Sequence, residues 1–166
     1  MHIPTFSFKK LLTAGLVLSL CLMLAGCDEQ RSTVSMEDFV KVVTIESMVE
    51  TDFSEMTDAY EGVTDSYGAE LVGGNLSAVY MAFESAEAAA AAYQALYDSL
   101  DPGASGTKIS MDGENYHSVT VNKDYAIYTR VIQVEDMMIM VRGLQTYKTE
   151  IDKIISEFGS YPVTAV

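Results

Sequence analysis

Few side chains in this chain could do chemistry. Its 166 residues hold two histidines, two cysteines and no tryptophan. His117 is the candidate general base. It alternates with Val119 and Val121, which places it on their face of a strand. A serine–histidine–acid set would need a hydroxyl and a carboxylate to meet it in space. No Gly-x-Ser-x-Gly turn exists to supply the nucleophile; Gly103-Ala104-Ser105-Gly106 is one residue short and follows a helix stop. No phosphate-binding loop and no Gly-x-Gly-x-x-Gly follows a strand. His117 therefore reads as a structural or rim residue. The expectation is a non-enzyme with no catalytic set and no cofactor.

Metal chemistry would have to come from carboxylates or methionines. Met137-Met138-Ile139-Met140 could attract a soft cation, but strand alternation turns Met137 and Ile139 away from Met138 and Met140. Methionine as core filler fits better. The acids Glu46, Glu50, Asp52, Glu55, Asp58, Glu61 and Asp65 lack an Asp-x-Asp-x-Asp-Gly loop to converge six to eight oxygens on a cation. They read as a solvated face, and no metal is expected. Tyrosine is the remaining signal. Tyr80, Tyr116, Tyr125 and Tyr128, with Arg130, would form an aromatic, hydrogen-bonding surface on a sheet face that helices leave open. Such a surface suits an envelope protein, a peptide or a glycan. The plainer reading is that tyrosines favour strands.

The elements that position these residues follow from spacing. Ser35 caps a helix over 36–49, with Glu37 and Asp38 in its first turn. Residues 50–68 fit a short helix or an irregular segment. Ala69 to Val72, Gly73-Gly74-Asn75 and Leu76 to Phe83 predict a hairpin. Ser85 caps an alanine-rich helix to about Leu100, stopped by Asp101-Pro102-Gly103. Strands are predicted over Tyr116–Val121, Tyr125–Gln133 and Met137–Arg142, with one more at Lys108–Met111. Tyr147, Ile151, Ile154, Ile155 and Phe158 mark a closing helix with Thr146 as candidate cap. The expected fold is α+β: an antiparallel sheet of about five or six strands with helices on one face, a two-layer sandwich.

Composition sets the class. An apolar share of 49% supports one domain. A formal charge of −14 repels phosphate backbones, so no nucleic-acid partner is expected.

The N-terminus is the most informative segment. Lys9 and Lys10 precede an apolar run from Leu11 to Ala25, short of the ~20 residues that span a bilayer. It reads as a signal h-region. Leu24-Ala25-Gly26-Cys27 then resembles a bacterial lipobox and switches at once to Asp28-Glu29. The resemblance implies a lipid on the Cys27 thiol and cleavage before it. Two acyl chains anchor stably where one does not. An ordinary cleaved signal with a chance cysteine, or a signal anchor, is the other reading. Loss of Lys9 and Lys10 takes the charge from −14 to −16. The expected plan is a signal over 1–26, a lipidated tether over 27–34 and one domain over 35–161.

Several stretches together look like a type of small lipoprotein common in Gram-positive anaerobes. They are the lipobox, Met36-Glu37-Asp38-Phe39, Phe83-Glu84-Ser85-Ala86-Glu87-Ala88, Asn115-Tyr116, Tyr128-Thr129-Arg130-Val131 and the isoleucine-rich helix, covering most of 36–159. The Gly-Tyr usual after the first helix is Ser47-Met48-Val49 here. The resemblance implies a compartment and a fold, and no activity. The expectation is a lipid-anchored protein on the extracytoplasmic side of the cell membrane, acting as a binding or interaction module. The alternative is a small-molecule or cation-binding module accessory to a transporter.

Overall fold

The structure, a computed structural model, describes residues 30–159. In chain order the elements are α1 (Met36–Ile45), β1 (Val49–Glu50), α2 (Ser54–Thr57), β2 (Val63–Glu70), β3 (Leu76–Phe83), α3 (Ala86–Ser99), β4 (Thr107–Asp112), β5 (Tyr116–Lys123), β6 (Ile127–Val134), β7 (Met137–Leu144) and α4 (Lys148–Glu157). The strands form one antiparallel sheet in the order β1-β2-β3-β7-β6-β5-β4. Both serine caps form: Ser35 Oγ accepts from the Asp38 amide and Ser85 Oγ from the Ala88 amide. Each satisfies an amide that the first helical turn leaves unpaired. Thr146 does not cap the last helix. A 3₁₀ turn over Gln145–Tyr147 leads into it instead.

Strand alternation builds two cores. Ala78 and Tyr80 of β3, Ile132 and Val134 of β6 and Ile139 and Val141 of β7 pack with Phe39 and Val43 of α1 and Ile151, Ile154 and Ile155 of α4. The opposite parity packs with Ala89, Ala92, Tyr93 and Leu96 of α3: Val79 and Met81, Val119 and Val121, Val131, and Met138 and Met140. The expected antiparallel α+β sheet forms, with seven strands where five or six are expected, and helices pack against both faces rather than the one expected: α1 and α4 on one, α3 on the other. The cause is written in the strands. Val79-Tyr80-Met81 and Met137 to Val141 are apolar at both parities, as strands buried on both faces are. The methionines divide between the two cores.

The segment expected to be a tether is partly docked. Gln30 Nε2 donates to Glu114 Oε2 at 2.8 Å, and the Arg31 backbone exchanges hydrogen bonds with the Asn115 side chain at 2.9 and 2.8 Å. Tyr80 Oη donates to the Val34 carbonyl at 3.1 Å, and Val34 is buried. Gln30 and Arg31 are thus fastened beside the β4–β5 turn, and Val34 against Tyr80 of β3. Residues 50–68 resolve into β1, the single turn α2 and the start of β2. Gly68 permits this: a Cβ there would overlap the Phe53 ring, which lies against the strand.

Candidate functional site

The lipobox residues Leu24, Ala25 and Gly26, and Cys27, lie outside the described residues. Four residues of the expected aromatic surface, Tyr80, Tyr116, Tyr128 and Arg130, share one side of the sheet, but not as an open face. Tyr80, Tyr116, Tyr128 and Arg130 are only 3–6% exposed, because α1 and α4 cover that side. Tyr128 Oη donates to Asp152 Oδ1 at 3.0 Å, Arg130 Nη1 to the same oxygen at 3.2 Å, and Lys148 Nζ to Oδ2 at 2.8 Å. These groups fasten α4 to the sheet. Tyr125 alone is exposed, at 63%, and it is not on a strand. Asp124 (φ 47°) and Tyr125 (φ 57°) are the central residues of the β5–β6 turn, two positions later than the sequence suggested. The Ala126 amide closes this turn on the Lys123 carbonyl.

His117 occupies a different place. It shares the α3 side with Val119 and Val121, as its alternation predicted, and its ring stacks on Tyr93 at 5.4 Å. Asp112, its partner across the β4–β5 ladder, lies 2.8 Å from Nδ1. A carboxylate only accepts, so Nδ1 is the donor in this contact. Ala90, Tyr93, Gln94, Tyr97, Ser110, Asp112 and His117 line a depression of about 390 Å³. The Tyr93 hydroxyl is buried with no partner. Burial, and then the Asp112 charge, push its pKa up. No serine donates to His117 among the described residues, and no three histidine, cysteine or acidic side chains gather there as a metal group. The acidic series is dispersed: Glu46 pairs with Lys153 at 2.7 Å, and Asp52 accepts from the Ser54 amide.

A second concavity was not anticipated. Between α3 and the segment that follows β1, a groove of about 280 Å³ opens on the sheet. Met56 and Tyr60 form one wall, Leu96 and Leu100 the other, and Val121, Ile127, Thr129 and Met140 the floor. Lys123 and Arg142 stand at its mouth. Register explains the convergence. Arg142, Thr129 and Val121 are successive cross-strand partners on β7, β6 and β5, so their side chains share one row. Lys123 and Ile127 pair in the next row. Thr129 is 2% exposed, and its side chain has no hydrogen-bond partner among the described residues. Neither Lys123 nor Arg142 enters an ion pair or hydrogen bond through its side-chain cation there, although Lys123 lies close enough to Asp124 to help lower that carboxyl's pKa. Other cations are committed: Lys41 to Glu37, Lys153 to Glu46, Arg130 and Lys148 to Asp152, and Lys108 to the Tyr97 carbonyl. Sequence reasoning missed the groove because its members come from five separate segments. The one available signal was a pair of basic residues, Lys123 and Arg142, ending apolar strands in an acidic chain.

No family model and no curated protein matches this chain. Among solved structures it is similar to a GTP binding regulator from Thermotoga maritima, at 10% identity, over 77% of this chain and 89% of that one, with a TM-score of 0.45. It is also similar to the extracellular domain of PknH from Mycobacterium tuberculosis, at 10% identity, over 75% and 89%, with a TM-score of 0.40. Likenesses at this level say nothing of what this chain does.

Proposed function

We propose that this chain is a lipid-anchored, extracytoplasmic, non-enzymatic binding module whose ligand enters the groove between α3 and the α2 segment. The observation that carries the binding role is the groove itself: a largely apolar cleft in which the Lys123 and Arg142 cations and the Thr129 hydroxyl make no ion pair or hydrogen bond among the described residues, while Ser99 and Asp101 are bonded to the Leu96 carbonyl and the Gly103 amide. Ligand sites are apolar concavities with a few convergent polar groups. The anchor rests on Leu24-Ala25-Gly26-Cys27. Burial of Tyr80, Tyr116 and Tyr128 removes the surface that favoured a protein, peptide or glycan partner, and a groove of 280 Å³ favours a small molecule.

The docked segment gives this reading an orientation. Cys27 is three residues from Gln30, so covalent geometry holds an anchor within ~11 Å of the Gln30 backbone, whose side chain bonds Glu114. The groove mouth lies at the far end of β5, at Lys123, about 23 Å along the strand from Tyr116. An anchor at Cys27 therefore sets the groove away from the bilayer, open to what diffuses in from outside. A transporter accessory is one form such a module takes. Fractionation of cells carrying Cys27→Ala tests the anchor. Release of the domain into the soluble fraction is expected. Membrane retention with no incorporated lipid label would contradict it.

A further inference from the structure

Resting on the groove reading, we infer that the ligand is a small, water-soluble organic anion, a carboxylate or phosphate monoester on an apolar body. Three observations converge. The first is charge. The described residues carry many more acids than bases, and Lys123 and Arg142, whose cations have no ion pair or hydrogen bond, meet at one cleft. Both cations are exposed at the cleft, where a ligand can reach them, and the guanidinium fork matches the oxygens of a carboxylate or phosphate. The second is the Thr129 side chain. It lines the groove and makes no hydrogen bond among the described residues, so its hydroxyl is available to donate to an anion seated between Thr129 and Arg142. Their registered pairing on β6 and β7 puts both groups on one face at neighbouring positions. The third is the body of the site. Met56, Leu96, Leu100, Val121, Ile127 and Met140 offer nothing to a polar ligand, so the anion must carry an apolar part.

Asp101 also lines the groove, and it sets the limit of the site. Its Oδ1 accepts from the Gly103 amide, which occupies one carboxylate oxygen in the turn. Its charge disfavours polyanions, which points to a ligand of one or two negative charges.

The test uses the processed full-length protein in phosphatidylcholine nanodiscs, with empty discs as blank. Calorimetric titration with 4-phenylbutyrate and with 4-phenylbutyl phosphate reads the two anions. 4-Phenylbutanamide supplies the same body without charge, and acetate and inorganic phosphate supply the charge without the body. Saturable 1:1 binding of at least one of the two aryl anions is expected. The neutral amide, acetate and inorganic phosphate should each bind at least tenfold more weakly. Arg142→Gln should weaken the bound anion tenfold or more, and Lys123→Gln with Arg142→Gln should abolish binding at unchanged melting temperature. Thr129→Val, close in volume, should weaken the anion several-fold. Binding of the amide equal to the acid, binding unaltered in the double variant, or no binding of either aryl anion would overturn the inference. Insertion into the discs reads the anchor separately, so failure of the groove and failure of the tether are distinguishable.

Discussion

Asp152 is the point at which the packing of α4 is most exposed to a single change. Its carboxylate receives Tyr128 Oη, Arg130 Nη1 and Lys148 Nζ at 3.0, 3.2 and 2.8 Å. Arg130 is 4% exposed at its side chain and Asp152 is 15% exposed, so water cannot replace the carboxylate at the guanidinium. Asp152→Asn keeps the volume and removes the charge. Breaking a buried pair costs about 3–5 kcal/mol when the remaining ion has nothing else. Arg130 keeps further interactions and Lys148 reaches water, which lowers the expectation to about 2–3 kcal/mol. For a domain of this size that is a fall of roughly 8–12 °C in melting temperature. Urea denaturation followed by circular dichroism measures it, with an unchanged m-value showing that the two-state reference holds. Replacing both partners, Arg130→Met with Asp152→Leu, should recover most of the loss, because an apolar pair has no desolvated charge. An Asp152→Asn midpoint within 0.5 kcal/mol of the parent would refute the assignment of this cluster as the fastening of α4.

Three further outcomes are expected. Ser47 holds a left-handed φ of 61° just past α1, where glycine costs less, so Ser47→Gly should raise stability by about 0.5–1 kcal/mol; a loss in thermal unfolding would contradict it. Gly68→Ala should destabilise by about 1–3 kcal/mol, since the new methyl must displace the Phe53 ring; a thermal midpoint unchanged from the parent would mean that Phe53 does not lie there. The phenols of Tyr93 and Tyr128 have pKa values pushed above the ordinary 10, chiefly by burial and secondly by the charges of Asp112 and Asp152. Below pH 10 both folded and unfolded chains keep these protons. Above it the unfolded chain loses them first, so stability should fall by about 1.4 kcal/mol per pH unit for each tyrosine. Tyr93→Phe and Tyr128→Phe should each remove one such slope, and equal slopes in the variants would exclude the mechanism.

Much of the fold was legible because it is local. The Ser35 and Ser85 caps, the glycine hairpin and the isoleucine helix each depend on a few neighbouring residues. The burial of both sheet faces was also written in Val79-Tyr80-Met81 and in Met137 to Val141. The expectation of one covered face rests on the order of helices and strands, which does not fix the side on which each helix packs. The amphipathic look of Tyr80, Tyr116 and Tyr128 is real, but all three are buried, and the Tyr80 and Tyr128 hydroxyls donate inward to Val34 and Asp152. The β5–β6 turn was misplaced because Asp124 and Tyr125 take left-handed angles usually given to asparagine and glycine. The groove's one sequence signal is the basic pair Lys123 and Arg142, and the docking of residues 30–34 has none, since each joins segments far apart in the chain. His117 was placed on the correct face, yet its Asp112 and Tyr93 partners depended on register and helix position that spacing does not fix.

The most direct test of the account is the intact mass of the protein extracted from its native membrane. The account predicts a chain beginning at Cys27 and carrying a diacylglyceryl group on its sulfur. A mass that includes Met1, or a chain with an unmodified Cys27 thiol, would contradict it.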